Sequence, residues 1–407
     1  MYLDIEIPND VKFIIRTLME NGHEAYIVGG CVRDSILNRK INDWDITTSA
    51  EPNKVVELFD KVILTGIKHG TVTVVMNNNN YEITTFRSDG EYDDNRHPIK
   101  VEYVKTLKED LARRDFTINA MAYNEVSGLQ DYFEGIKDLN SKNIRTVGNP
   151  LLRFNEDALR MLRAIRFSAQ LGFAIDSDTF EAIKQVSHNV SNISKERIRD
   201  ELNKIILSDA TKFETLKKCN LLNYIIPELN EIKYNKLLQL NIINTNIVIR
   251  LAILLKDLGE DVSTDILRRF RYDNNTIKNV ILLIKYADYD LNNVVNIKKL
   301  LNIIGEGLIY DLVEIKKSEI INLDKDKDYE LNLIYKTLEN IKKIINSGEC
   351  YSLKQMKISG RDLIDLGYDK GKKIGGVLNH LLDMVIKNPE LNNKDILIEI
   401  AEEIKNK

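Results

Sequence analysis

The chain has 407 residues, of which 43% are hydrophobic, and it carries 58 Lys and Arg against 62 Asp and Glu. The length predicts two to four domains rather than a single core, and the hydrophobic fraction excludes wholesale disorder. A net charge of −4, taken over the whole chain, argues against a nucleic-acid partner. The three cysteines are too scattered for a disulfide framework or a zinc site, and no apolar run reaches about 18 residues. Because the start is not of the secretory type, the sequence predicts a cytoplasmic protein.

Strand-like and helix-like segments alternate through the first 145 residues. Residues 26–28 form a short apolar run that stops at a pair of glycines. The β-branched segments 71–75 and 81–86 flank four consecutive asparagines, which predicts a hairpin. The other elements predicted here are a strand at 101–104 and helices at 9–21, 32–38, 52–59 and 107–123.

Beyond residue 145 the pattern is almost entirely helical, with apolar residues at three- and four-residue spacing. The clearest helical segments are 156–171, 195–207, 246–257 and 374–387. The predicted fold class is therefore α+β, with an N-terminal mixed α/β unit built on a small β-sheet and followed by helices. Residues 1–145 hold more acidic than basic residues, while the remainder is nearly balanced. A local excess of carboxylates suits a metal site.

The first cluster of chemical interest begins at the glycine pair. A short strand runs into Gly29 and Gly30, and a predicted helix carrying Arg33 follows. Such a turn lets backbone N–H groups approach a phosphate, and Arg33 lies within reach of the same anion. On its own, a pair of glycines is more often only a turn.

Two aspartates follow this turn, and Asp43 lies thirteen residues after Gly30. Alternation in an extended segment places Asp43 and Asp45 on one face and Trp44 on the other. Two such carboxylates are what Mg²⁺ held between protein and triphosphate requires. Glu82 is either a third carboxylate beside them or an exposed strand residue. A lone Asp pair is usually a solvated surface pair, but its combination with the glycine turn favours a site.

The second cluster, residues 113–120, contains two adjacent arginines. Arg113 and Arg114 are suited to neutralising phosphate oxygens with forked hydrogen bonds. Asp115 and Asn119 either meet a ribose hydroxyl or orient an arginine. Taken alone, this segment is equally typical of a helix with a charged rim.

The third cluster lies on a predicted helix over 156–171. At 100° per residue, its core face collects Ala158, Met161, Leu162 and Ile165. The opposite side carries Glu156, Asp157, Arg160 and Arg163. Asp157 and Arg160, three residues apart, either form a surface ion pair or face a ligand.

A ligand-facing pair of this kind can read a nucleotide base. An ionised Asp157 only accepts hydrogen bonds, and Arg160 only donates them. Cytosine and adenine both present an exocyclic amine to Asp157 and ring acceptors to Arg160, whereas guanine and uracil place a carbonyl opposite the carboxylate. If it faces a ligand, a pair of this kind can therefore select C and A without a nucleic-acid template.

Together these clusters resemble the class II tRNA nucleotidyltransferase and bacterial poly(A) polymerase family, within the polymerase β superfamily. The matching motifs occur in family order at 29–34, 43–45, 113–120, 131–139, 156–167 and 195–202. Segments 358–367 and 375–382 are similar to the C-terminal helical part of the family. The combination is highly specific, although each motif alone is not.

The resemblance implies a nucleotidyltransferase head followed by a helical neck, body and tail. The expected divisions are the catalytic head at 1–145, the base-recognising neck at 146–205, the body at 206–310 and the tRNA-binding tail at 311–407. The resemblance also implies that Asp43 and Asp45 are catalytic and hold two Mg²⁺ ions, one at the primer hydroxyl and one at the triphosphate. The residues it assigns to the nucleotide are Gly30, Arg33, Arg114, Asp157, Arg160, Arg163 and Arg166.

Three activities share these motifs, namely addition of CCA, of CC only, and of A only or poly(A). The polar segment 87–104 corresponds to a loop that CC-only relatives lack, and the strongly basic C-terminal extension of poly(A) polymerases is missing. We therefore predict a CCA tRNA nucleotidyltransferase that takes CTP and ATP and acts on the 3′ end of tRNA, with no membrane and no protein partner. The alternatives are an A-adding enzyme or poly(A) polymerase, and an RNA-binding protein with an inactive head.

Overall fold

The computed structural model describes residues 5–64, 66–89, 101–243, 246–321 and 327–406. The chain divides into two compact units, Met1–Ile232 and Lys233–Lys407. Every strand among the described residues belongs to the first unit, and the second is helical. This confirms the predicted α+β class. The finer division at residues 145, 205 and 310 stays a prediction.

The first unit is built around a β-sheet. Its strands are β1 (Ala25–Val28), β2 (Ile46–Thr48), β3 (Val62–Ile63), β4 (Thr71–Met76), β5 (Asn79–Thr85), β6 (Arg87–Asp89), β7 (Val101–Tyr103), β8 (Met121–Asn124), β9 (Gly128–Asp131), β10 (Asn143–Ile144) and β11 (Ala174–Ile175). Seven of them form one mixed sheet in the order β3-β4-β5-β2-β1-β8-β9, while β6 pairs with β7 and β10 with β11. Within the large sheet, β2 and β5 run parallel and the other neighbours are antiparallel.

The hairpin of β4 and β5 follows from its local sequence. Both strands are rich in β-branched residues, and Val72, Val74 and Ile83 are buried. Asn77 and Asn78 reverse the chain with φ angles of 50° and 63°, a left-handed conformation that asparagine tolerates. The predicted hairpin is thus confirmed.

The parallel pairing of β2 with β5 sets the position of the carboxylates. Ile46 of β2 lies opposite Ile83 of β5. The residues that precede these two, Asp45 and Glu82, are therefore brought next to each other.

The first unit also contains eleven α-helices among its described residues. They are α1 (Asn9–Glu20), α2 (Gly30–Ile36), α3 (Pro52–Leu58), α4 (Leu107–Ala112), α5 (Gly135–Asn140), α6 (Pro150–Glu156), α7 (Leu159–Leu171), α8 (Ser177–Val186), α9 (Lys195–Ser208), α10 (Phe213–Lys218) and α11 (Leu221–Ile225). Short 3₁₀ turns connect several of them.

The predicted helix at 107–123 is wrong in its second half. The helix α4 begins at a capping box formed by Thr106 and Glu109, and it ends at Ala112. Residues Met121–Asn124 are instead the buried strand β8, which pairs with β1 and β9. A short apolar segment can form either element, and here the backbone hydrogen bonds to two neighbouring strands decide the outcome.

The described residues of the second unit form nine α-helices. They are α12 (Tyr234–Ile242), α13 (Ile247–Leu255), α14 (Gly259–Arg269), α15 (Asn274–Lys285), α16 (Val294–Ile321), α17 (Lys327–Ser347), α18 (Gly360–Asp365), α19 (Lys372–Lys387) and α20 (Lys394–Asn406). The long α16 is kinked at Gly305, which has a φ of 79°. A core formed by Leu363, Leu381, Val385 and Leu397 holds the last three helices together. Among the residues described, no helix is both long and apolar enough to cross a bilayer.

Candidate active site

The turn after β1 has a conformation that requires glycine. Gly29 has a φ of 79° and a ψ of −123°, and Gly30 begins α2. A Cβ atom at Gly29 would lie 2.9 Å from the Nη1 atom of Arg114. The glycine therefore serves two purposes, since it allows the turn and lets the Arg114 guanidinium pack directly against it.

The predicted carboxylate pair lines a cleft together with residues of β3, β4 and β5. Asp43, Trp44, Asp45 and Glu82 all face this cleft, whose volume is about 520 Å³. The side chains of Asp43, Asp45 and Glu82 are exposed. The structure thus brings Glu82 beside the pair. The predicted placement of Trp44 on the opposite face is wrong, because β2 begins only at Ile46 and the preceding residues do not follow strand alternation.

Desolvation, together with electrostatic repulsion in the cleft, raises the pKa of Asp45. Crowding by the cleft walls removes part of the hydration of this carboxylate and is the largest cause, while Glu82 and Asp43 add negative charge and Arg114 opposes them. A cation between these carboxylates relieves this repulsion. Oxygen ligands of this kind suit a hard divalent ion such as Mg²⁺.

These carboxylates provide part of a coordination shell. Among the described residues, no group of three or more Asp, Glu, His or Cys is arranged to hold a metal ion. Two aspartates with open positions leave room for oxygens of a substrate, which is how Mg²⁺ is commonly bound at phosphate-transfer sites. The residues present therefore fit the predicted metal.

Arg114 lies between the cleft and a buried carboxylate that the sequence analysis missed. Its Nη2 atom is 3.6 Å from Oδ2 of Asp110. Its Nε atom is buried and has no hydrogen-bond partner among the described residues. Burial lowers the pKa of Arg114, with Asp110 and Asp45 acting in the opposite direction. The only sequence signal for Asp110 is its spacing of three and four residues from the two arginines.

Arg33 lies beneath the glycine turn rather than in the cleft. Its Nε and Nη2 atoms donate to the two carboxylate oxygens of Asp34 at 3.0 and 2.8 Å. Its Nη1 donates to Oδ1 of Asn119 at 2.6 Å, and the residue is 8% exposed. Gly30 lies next to it, with the Arg33 Nη2 atom 3.8 Å from the position of a Cβ. Arg33 therefore supports the turn in this structure.

A chain of polar contacts continues from Asn119 to the third cluster. The Nδ2 atom of Asn119 donates to Oδ1 of Asp115 at 3.1 Å. The other oxygen of Asp115 accepts from Nε and Nη2 of Arg163 at 2.7 and 2.6 Å. Burial by itself raises the pKa of Asp115, but Arg163 and Asn119 outweigh it and hold the pKa well below the usual range. The second and third clusters are therefore linked by a permanently ionised carboxylate.

Phe167 is the apolar centre of the same network. The guanidinium carbons of Arg33, Arg163 and Arg166 lie 5.1, 5.4 and 3.7 Å from the centre of its ring. Arg166 is buried and donates to Glu201 at 2.6 Å and to Gln170 at 2.7 Å. Arg166 is thus held away from the cleft in a supporting position.

The predicted helix over 156–171 is interrupted at Asp157. The helix α6 ends at Glu156 and α7 begins at Leu159, while Asp157 has an extended conformation. Its Oδ1 accepts from the backbone N–H of Leu159 at 3.0 Å, an Asx-type turn that competes with the helix. The predicted core face is nevertheless confirmed, because the following residues are fully buried: Ala158, Met161, Leu162 and Ile165.

The two predicted base-reading residues have separate partners. Asp157 accepts from Nη2 of Arg197 at 2.9 Å, a contact missed by the sequence analysis. Arg160 donates to Glu156 at 2.5 Å and to the backbone carbonyl of Arg113 at 3.1 Å. Arg160 thus lies against the residue that precedes Arg114.

All the predicted site residues belong to the first unit. The structure brings Asp43, Asp45 and Arg114 to the cleft or its border. Arg33, Arg163 and Arg166 surround Phe167, and Arg160 contacts the end of α4. Asp157 is paired with Arg197 instead. Much of the predicted specificity loop, residues 90–98, lies outside the described residues.

Three family models cover most of the chain. Residues 25–145 match the poly A polymerase head domain, 172–233 match the probable RNA and SrmB-binding site of polymerase A, and 244–401 match domain 2 of tRNA nucleotidyltransferase. The CCA-adding enzyme of Ligilactobacillus salivarius is 39% identical over 98% of each chain. That of Staphylococcus epidermidis is 36% identical over 97% of each chain. The crystal structure of the Bacillus stearothermophilus CCA-adding enzyme in complex with CTP matches with a TM-score of 0.82 and 31% identity, covering 97% of this chain and 96% of that one.

Proposed function

Because the chain belongs to the CCA-adding enzyme family of tRNA nucleotidyltransferases, we propose that it adds C, C and A to the 3′ end of tRNA. The substrates are CTP and ATP, and each addition releases pyrophosphate. No nucleic-acid template takes part, since the protein itself selects the base. We assign this activity to the cytoplasm, with tRNA as the macromolecular partner.

The proposal rests on one observation: the acidic cleft lies near an arginine that has a buried N–H group without a hydrogen-bond partner among the described residues. Asp43, Asp45 and Glu82 concentrate negative charge on one side. Arg114 lies against Gly29 with a buried Nε that lacks a partner. A metal-bound triphosphate supplies what both sides need, because it brings cations to the carboxylates and phosphate oxygens to the arginine.

A divalent metal ion belongs to this reaction class, and we assign Mg²⁺ to Asp43 and Asp45. When bound there, such ions neutralise the triphosphate and lower the pKa of the attacking 3′-hydroxyl. Asp43 and Asp45 hold the ions at the cleft. Arg114 contacts the phosphates or the ribose from the glycine turn. Gly30 and Arg33 keep that turn in place.

Base choice is assigned to Asp157 and Arg160. The carboxylate of Asp157 accepts from the exocyclic amine of cytosine or adenine, and Arg160 donates to the ring acceptors. To do so, Asp157 exchanges its contact with Arg197 for the base, and Arg160 exchanges its contact with Glu156. Arg163 and Arg166 stay packed around Phe167 and keep the reading residues in register.

An extension assay tests the proposal. Purified protein with Mg²⁺ is given three tRNA substrates, one lacking CCA, one ending in a single added C and one ending in CC, with single nucleotides and with mixtures. We expect three-nucleotide extension of the first substrate from CTP and ATP together, and no incorporation of UTP or GTP. Addition of A to the CC end alone would assign the protein to the A-adding enzymes. A long A tail would indicate a poly(A) polymerase, and no addition at all an inactive head.

A further inference from the structure

A fully buried carboxylate lies beside the nucleotide site without a role in the activity described so far. We propose that Asp110 is a positioning residue that holds Arg114 in the orientation needed to bind the triphosphate. The inference rests on the proposed nucleotide-binding role of Arg114. Asp110 itself touches neither nucleotide nor metal.

Asp110 joins three segments of the first unit. Its Oδ2 accepts from the hydroxyl of Thr47 at 3.1 Å, two residues after Asp45. Its Oδ1 accepts from Nε of Arg113 at 2.9 Å and from the backbone N–H of Arg87 at 3.4 Å, where β6 begins. The side chain of Arg114 completes the set at 3.6 Å. One carboxylate therefore relates the position of Arg114 to β2, the strand that directly follows the proposed metal-binding aspartates.

The charge of Asp110 is what this arrangement requires. The residue is 0% exposed, and an ionised carboxylate at such a depth is stable only when it is paired. Burial alone raises its pKa, but Arg113 and Arg114 outweigh this effect and keep the pKa below its ordinary value. The Nε of Arg114 has no hydrogen-bond partner among the described residues, and Asp110 is the carboxylate that pairs with Nη2 and orients this guanidinium.

The neck helices hold the same stretch of backbone from the other side. Nη2 of Arg153 donates to the carbonyl of Ala112 at 2.7 Å, and Nη2 of Arg160 donates to the carbonyl of Arg113 at 3.1 Å. The main chain at the end of α4 is therefore anchored independently of Asp110. Loss of the Asp110 charge consequently acts on the Arg114 side chain rather than on the path of the chain.

The molecule offers a matched control in Asp138. This aspartate is 4% exposed and accepts from the Thr117 hydroxyl at 2.5 Å and from Nε of Arg145 at 3.0 Å. Asp138 thus has a threonine and an arginine partner, as Asp110 does. Its hydrogen-bond partners include neither Arg114 nor a residue that lines the cleft. Asp138→Asn therefore reports the cost of neutralising a buried aspartate in the same unit.

The test is a double-mutant cycle on nucleotide binding without tRNA, so that no chemistry occurs. Wild type, Asp110→Asn, Arg114→Ala, the double variant and Asp138→Asn are titrated with CTP, ATP and inorganic tripolyphosphate in the presence of Mg²⁺. Calorimetry measures the Kd, and the fluorescence of Trp44, the single tryptophan of the chain, provides a second readout from the cleft. Thermal unfolding of each variant is recorded in parallel.

We expect Asp110→Asn to weaken the binding of all three ligands by the same factor, roughly tenfold. The reason is that the misoriented Arg114 guanidinium binds the phosphates and not the base. In the Arg114→Ala background the same change should have no further effect. Asp138→Asn should lower the melting temperature comparably and leave the Kd values unchanged.

Three results would overturn the inference. These are an unchanged Kd in Asp110→Asn, full additivity in the double variant, or equal weakening by Asp138→Asn. If Asp110→Asn does not fold, Thr47→Val removes a donor to the same oxygen within a similar volume, and unchanged binding in that variant is then the contrary result. A wild-type protein that binds CTP and ATP but extends no tRNA refutes the proposed function alone.

Discussion

Two aspartates of the first unit have pKa values displaced in opposite directions. Asp45, in the cleft, has its pKa raised by desolvation and by the neighbouring Glu82 and Asp43. Asp115, which contacts Arg163 of α7, has its pKa lowered because Arg163 and Asn119 outweigh the unfavourable effect of burial. The cleft thus accumulates charge that a ligand must neutralise, whereas the Asp115 network is neutralised by the protein itself. The first region is arranged for binding and the second for rigidity.

The largest expected effect comes from Asp45→Ala. Removal of this carboxylate deletes a proposed metal ligand, so nucleotide addition should fall by at least about 1,000-fold. Because the side chain is exposed and repelled by its neighbours, the melting temperature should hardly change. The extension assay and a thermal melt measure both quantities. Asp60→Ala, an exposed aspartate of the same unit, is the control, and retained activity in Asp45→Ala would show that the metal assignment is wrong.

Asp115→Asn, unlike Asp45→Ala, should lower the free energy of unfolding. The change leaves the half-buried Arg163 with a neutral partner in place of a buried carboxylate, and the loss of a charged hydrogen bond of this kind costs about 2 kcal/mol. Urea unfolding measures the loss, with Asp200→Asn as the control, because its partner Arg199 forms an exposed surface pair. Equal stability of the two variants would mean that the network around Asp115 does not stabilise the first unit.

Asp157→Ala tests base reading with a smaller effect. Loss of the acceptor should reduce discrimination of CTP and ATP against UTP and GTP by roughly ten- to a hundredfold. Binding of inorganic tripolyphosphate should stay the same, since Asp157 has no phosphate to contact. Single-nucleotide extension measures the discrimination, and Asp178→Ala on the exposed start of α8 is the control. Unchanged rejection of UTP and GTP would remove Asp157 from base selection.

The smallest expected effect is on the pH dependence of stability, which should differ in sign between Asp45 and Asp115. The raised pKa of Asp45 means that the folded protein binds this proton more tightly than the unfolded chain does, so ionisation of Asp45 lowers stability as pH rises. Asp45→Asn should therefore raise the melting temperature slightly at pH 7, and the gain should vanish below the ordinary aspartate pKa of about 3.9.

Asp115 has the opposite linkage. Its lowered pKa stabilises the fold above the ordinary aspartate value, and this contribution is lost as pH falls through the folded-state pKa. Melting curves of Asp45→Asn and Asp115→Asn between acid and neutral pH distinguish the two. Added Mg²⁺ should stabilise the wild type more than Asp45→Asn. A destabilised Asp45→Asn at pH 7 would contradict the repulsion argument.

Local patterns were sufficient to predict several elements of the fold. The β-branched strands around Asn77 and Asn78 and the apolar face of α7 depend on neighbours within a few residues, and both are confirmed. The segment 107–123 failed because β8 is held by strands that are distant in sequence. The predicted helix through Asp157 failed because one side chain satisfies the backbone locally and interrupts it.

The sequence by itself determined the kinds of groups that the site needs, namely acidic residues for a metal, arginines for phosphate, and glycines for a tight turn. These follow from residue chemistry and spacing. Only the tertiary structure decided which partner each group has. The register of β2 and β5 placed Glu82 beside Asp45. Packing also paired Arg33 with Asp34 and Asn119, and buried Asp110 beside Arg114. Charge interactions depend on the distance between groups in space, and packing sets this distance. The pKa of each group therefore cannot be read from the separation of residues along the sequence.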